Sequence, residues 1–247
     1  MKLPLNDDLW TRLYGPYGNR SVNDLIEKLV TRWEPDVAAE LLWEELHHQD
    51  DIYPATFAAL PWLLEVAPKS GESFEDAHLF FSHVIYCACA MFGTSPRGKY
   101  RGLSTDISDH HHTWLSEDER LREEDIPTLL KLEEWFSDNV TKMAVDCLNI
   151  VDEDLTKAAY ALEGFAAFEG SMNVARAAQM FADGEEKSTI EQEIGLFNDT
   201  DTRVVTALQP HIYSRNEEVM AFLNDFPRHS IAPVSYTHLT LPTIILV

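Results

Sequence analysis

Apolar residues in this chain recur every three or four positions, segment after segment, and that spacing belongs to the α-helix. Between 21 and 33, Val22, Leu25, Ile26, Leu29, Val30 and Trp33 form one stripe, with Ser21 placed to cap it. The stretch 36–48 repeats the pattern with Val37, Leu41, Leu42 and Leu46. In 54–67 the stripe is Phe57, Leu60, Leu64 and Ala67, with Pro54 suited to the first turn and Pro61 expected to kink the interior. The stretch 73–92 is apolar nearly all round, which predicts a central helix, capped by Ser73 and Asp76 and stopped at Gly93. A helix over 126–150 carries Leu129, Leu132, Phe136, Val140, Met143, Cys147 and Ile150.

The segments 154–168 and 172–182 are rich in alanine, which lets helix backbones approach closely. The segment 185–200 has no clear period, and 203–210 and 216–224 read as short helices. Short turns pair the helices into units of about 40 residues, the period of HEAT-type arrays. The expected fold is therefore all-α: a HEAT-like stack of antiparallel helix pairs, an α-solenoid, in a single domain over 1–233. The polar, irregular stretch 94–115 is long for a connection and is expected to be functional or mobile.

Charge narrows the partners. The chain has 19 Lys and Arg against 42 Asp and Glu, a formal charge of −23. Such a surface repels nucleic acid and anionic lipid and attracts basic partners. Acid is concentrated in Glu117, Asp118, Glu119, Glu123, Glu124 and Asp125, the expected partner-binding residues, and again at 152–154. No apolar run reaches the roughly 20 residues of a membrane span, and the start lacks a basic region followed by an apolar one. Three cysteines without framework spacing predict reduced, buried thiols. These features lead to the expectation of a cytoplasmic protein without cofactor.

Composition changes abruptly after Arg228, beyond which no charged residue follows. Residues 234–243 read VSYTHLTLPT, which back-translates to GTC TCT TAT ACA CAT CTG ACG CTG CCG ACG and resembles a sequencing-library adapter read in frame. Residues 234–247 are accordingly expected to be a non-native tail on a truncated chain, and are excluded from fold reasoning.

The stretch 41–67, LLWEELHHQDDIYPATFAALPWLLEVA, resembles a pattern in uncharacterised bacterial HEAT-like proteins, at His48, Gln49, Tyr53, Pro54, Ala55, Ala58, Ala59 and Pro61. The later ALEGFAA at 161–167 also fits such proteins. The resemblance implies a helical repeat scaffold, and for some members a role as immunity proteins against bacterial toxins. Asp50 stands where the pattern more often has Gly, a departure that counts against a tight turn with positive φ there, although Asp tolerates that conformation better than most residues.

Two clusters hold metal-ligating or acid–base side chains. His47, His48, Asp50 and Asp51 lie near one another, but adjacent histidines on a helix point about 100° apart, and a helix C-terminus capped by imidazoles accounts for them. Asp106, Asp109, His110, His111 and His112 lie in the long polar stretch. Together they give an alternative reading, a metal-dependent hydrolase; a scaffold without a single partner is a further one. There is no Gly-rich phosphate loop, no Gly-x-Ser-x-Gly and no His-Glu-x-x-His. Glu133 and Glu134 lack the Glu-x-x-His partner of a di-iron bundle. The leading expectation is a non-enzymatic binding protein that presents an acidic face to a basic protein, such as a toxin.

Overall fold

A computed structural model describes residues 1–92, 102–150, 154–211 and 216–229. The chain is mostly helical. Helices α1 (Val22–Thr31) and α2 (Pro35–Ala39) lead into a π-helical turn, Glu40–Glu45, and a two-stranded hairpin, β1 (His47–His48) and β2 (Asp51–Ile52). Then follow α3 (Pro54–Val66), α4 (Glu72–Phe92), α5 (Ile126–Cys147), α6 (Leu155–Phe168), α7 (Met172–Ala182), α8 (Lys187–Ile194), α9 (Asp199–Leu208) and α10 (Glu217–Asn224).

Most expected helices form where their stripes lie. The stretch 185–200, without a clear period, contains α8 and the first residues of α9. Asn198 starts α9: its side chain accepts from the N–H groups of Thr200 and Asp201. Asp154 caps α6 in the same way. Ser73 lies inside the first turn of α4 rather than at its cap. The predicted stop at Gly93, part of the long polar stretch, most of the acidic group at 152–154, and the tail at 234–247 all lie outside the described residues.

The expected helix over 36–48 is corrected. It ends in the π-helical turn at Glu45, and the next residues are β1. Extended backbone alternates its side chains. The π turn re-aims the chain just before the hairpin, a position where such turns accompany functional sites.

Helix α4 is central because it buries side chains on every face: Phe80, Phe81, Val84, Ile85 and Cys87 are all fully inaccessible. Each large side chain buried in this way contributes about 1.5–3 kcal/mol. The helix packs against α5, α6 and α7. The alanine-rich sequence of α6 allows the closest approach: a Cβ built on Gly164 would lie 2.6 Å from both the Cα and the carbonyl oxygen of Ser82. Ser82 Oγ in turn accepts from the Gly164 N–H at 2.9 Å and donates to the carbonyl of Tyr160. The three cysteines are free and buried.

Candidate functional site

The hairpin pairs His47 with Ile52 and His48 with Asp51. It is anchored by Thr56, whose hydroxyl accepts from the Tyr53 N–H at 3.0 Å and donates to the Leu46 carbonyl at 2.6 Å. The positive φ of its turn falls on Gln49 (54°), not on Asp50. Strand alternation separates the two histidines. His48 is exposed and shares a hydrogen bond with the Tyr17 hydroxyl at 3.1 Å. His47 is half-buried and faces α4. The histidines therefore do not cap the carbonyls of a helix end.

His47 meets His83. Their Nε2 atoms are 2.8 Å apart, and the carbonyl of Gln49 lies 3.4 Å from the same His83 nitrogen. On the other side of the ring, His83 Nδ1 is 2.9 Å from Oε1 of Glu163, a wholly buried residue of α6. Gln179 of α7 donates to the second carboxylate oxygen. Cys87 lies one turn after His83, and its sulfur and one nitrogen from each of the two imidazoles lie within 4.8 Å of one another. Trp43, from the π-helical turn, covers both rings, with centroids 5.7 Å from His47 and 5.9 Å from His83.

Burial sets the electrostatics. It pushes the Glu163 carboxyl up to about 7, against the pull of His83. Burial also disfavours the His83 imidazolium, but the hydrogen bond and charge of Glu163 outweigh it and hold His83 above the ordinary imidazole value. Among the described residues no carboxylate pairs with His47; burial, helped by the His83 and His48 charges, lowers it to about 4. Burial raises the Cys87 thiol far above its usual range, so in the protein by itself the sulfur keeps its proton. His83 also lines a polar cleft of about 590 Å³ with Asp50, Tyr86, Tyr160, Arg176 and Asp183.

The second histidine cluster does not converge. His110 is buried, with Nδ1 3.0 Å from the Tyr14 hydroxyl and Nε2 2.9 Å from the Ser104 carbonyl. His111 Nε2 donates to the Leu121 carbonyl at 3.1 Å. The His112 ring stacks on Trp114, 4.9 Å away and within 4° of parallel. Asp106 caps the short turn Ile107–His110. Among the described residues, the one group of His, Cys, Asp and Glu side chains close enough to share an ion is His47, His83 and Cys87. His48, Asp50, His110, His111 and His112 are not in it.

The acidic segment divides. Asp125 is buried in a bidentate pair with Arg12, at 2.7 and 2.8 Å, and accepts from the Arg122 N–H. It is thus no part of an outward-facing surface. Glu119 caps the turn that starts at Ser116, and Glu124 lies 3.8 Å from Arg122. Glu117, Asp118, Glu123 and Glu124 are exposed. Two aromatics are exposed: Trp114, three residues before Glu117, and Tyr17, over whose ring Arg20 lies at 5.1 Å, are 50% and 49% accessible. Tyr17 sits in a tight loop closed by mutual hydrogen bonds between Gly15 and Gly18, the latter at φ +99°. A Cβ on Gly18 would lie 3.9 Å from the Trp114 ring.

Sequence reasoning missed His83, Glu163 and Gln179, and treated Cys87 as a plain buried thiol. One signal was present: His83 and Cys87 are spaced i, i+4, which puts both on one helix face. Glu133, half of an incomplete carboxylate pair by sequence, is buried and accepts from the N–H groups of Gly102 and Leu103. No protein-family model, curated protein or solved structure matches the chain.

Proposed function

We propose that this protein is a non-enzymatic binding protein that takes a basic protein partner on the surface around Trp114 and Tyr17. The observation that carries the reading is that Trp114, half-exposed, stands three and four residues before the exposed carboxylates of Glu117 and Asp118, with the loop of the half-exposed Tyr17 against its ring through Gly18. Aromatic anchors of this kind carry much of the energy of protein interfaces, while surrounding charge selects and steers the partner. Trp114 is already held: Tyr14 packs edge-on at 5.9 Å and His112 stacks on the indole. A preorganised side chain loses less entropy on binding. The formal charge of −23 favours a cationic partner.

In this reading the antiparallel helices form a HEAT-like solenoid, and the resemblance at 41–67 suggests a toxin as the partner, neutralised by an immunity protein. Affinity capture with the full chain, washed at low and then high salt and analysed by mass spectrometry, tests it. A near-stoichiometric basic protein that salt releases, and that Trp114→Ala fails to retain, supports the reading. No partner at either salt, or retention indifferent to Trp114, overturns it. An immunity role then requires that co-expression rescue cells from the captured protein.

A further inference from the structure

We infer that His47, His83 and Cys87 form a binding site for a zinc ion, independent of the partner surface proposed above. Three observations converge on it. The donor set of two imidazoles and a thiolate suits zinc, which takes nitrogen and sulfur ligands, and does not suit the oxygen-seeking magnesium and calcium. The three donor atoms already lie within 4.8 Å of one another, and the two Nε2 atoms are 2.8 Å apart. Two nitrogens on a tetrahedral zinc, each at about 2.0–2.1 Å, stand somewhat over 3 Å apart, so the pair opens by about half an ångström to admit the ion.

The third observation is the support around the ligands. Glu163 accepts from His83 Nδ1 at 2.9 Å, leaving the Nε2 lone pair for a metal, and is itself held by Gln179. A buried carboxylate that fixes ring orientation and tautomer is the usual outer partner of a zinc-bound histidine. Two of the three ligands share one face of α4, and the third arrives on a hairpin fixed by Thr56, so the set is built on anchored backbone. His83 lines the polar cleft, which gives the ion a route from solvent. With three protein ligands among the described residues, the fourth coordination position is open to water or a small ligand.

Binding balances simply. The Cys87 sulfur gives its proton to solvent and keeps the electron pair that forms the bond to zinc; His47 and His83 each give a ring nitrogen lone pair. The site differs from both sequence clusters, since it keeps only His47 and takes its other ligands from α4.

The test uses the full chain made without a His tag, stripped of metal and titrated with cobalt(II) and then zinc(II). The expected result is one equivalent of cobalt with a sulfur-to-metal charge-transfer band in the near ultraviolet, displaced by zinc. Cys87→Ser removes the band, His47→Ala weakens zinc binding at least about 100-fold, and Cys89→Ser leaves both unchanged. Glu163→Gln keeps the band and lowers zinc affinity about 10- to 100-fold. Absence of a stoichiometric site, a cobalt spectrum without the thiolate band, or affinity unaffected by His47→Ala overturns the inference. The wild-type spectrum decides the question even where a variant fails to fold.

Discussion

His83 and Glu163, eighty residues apart in the chain, join α4 to α6 through a 2.9 Å contact in the protein interior. The pair supports the fold as well as the site, because a buried charged group left without its partner is strongly destabilising. Glu163→Ala is expected to cost about 3–5 kcal/mol in metal-free protein, measured by urea unfolding. Glu163→Gln, which keeps an acceptor for His83 Nδ1, is expected to cost clearly less. Equal losses in the two variants would mean that the negative charge of the carboxylate, and not the acceptor it offers His83 Nδ1, makes the contribution.

The approach of α6 to α4 makes a second prediction. Gly164 is the residue whose absent side chain lets the Ser82 backbone in. Gly164→Ala puts a methyl group against backbone rather than against a flexible side-chain end, so the helices must separate. Overpacking of this kind costs about 1–3 kcal/mol, and the backbone contact argues for the upper end. A fall in the urea midpoint at unchanged slope checks it; a neutral or stabilising result would show that the helices sit farther apart.

The pair between Arg12 and Asp125 predicts a pH dependence. Burial works to raise the Asp125 carboxyl, but hydrogen bonds from Arg12 and the Arg122 backbone, and both guanidinium charges, hold it below the usual carboxylate value. A depressed folded-state value means that the carboxylate stabilises the fold fully above its unfolded pKa of about 3.9 and loses that contribution as pH falls through the folded value. The stability difference between the wild type and Asp125→Asn is therefore expected to be constant from pH 7 to about 5 and to shrink below about 4. Urea unfolding of both proteins across that range measures it, and a gap that does not narrow between pH 5 and pH 3 counts against the ion pair.

The surface around Trp114 predicts a division of labour in partner binding. Trp114→Ala is expected to weaken a captured partner by about 2 kcal/mol or more, roughly 30-fold, through faster dissociation. Replacing Glu117 and Asp118 by Gln and Asn is expected to act on association, with an effect that fades at high salt. Surface plasmon resonance at two ionic strengths separates the two. Loss of salt dependence without any change in association rate would contradict electrostatic steering.

Much of the helical architecture was legible in the sequence, because apolar spacing reports local geometry directly. The stripes of α1, α3 and α5 and the all-round burial of α4 follow from which side chains must leave water. The hairpin at His47–Ile52 was not legible: a π-helical turn ends the preceding helix at Glu45, and the periodicity of 36–48 continues across that end. The correction changed the chemistry, since strand alternation sends His47 inward to His83 and His48 outward to Tyr17.

The sequence by itself determined a helical, strongly acidic chain with buried cysteines and no familiar catalytic motif, because composition and spacing act over neighbouring residues. Only the tertiary structure decided which polar groups meet. It joined His47 from a hairpin, His83 and Cys87 from α4, and Glu163 from α6, and it withdrew Asp125 from the acidic surface into a pair with Arg12. Such meetings depend on how helices far apart in the chain pack against one another, and the small residues at their contacts, Gly164 above all, set that distance without marking what it brings together.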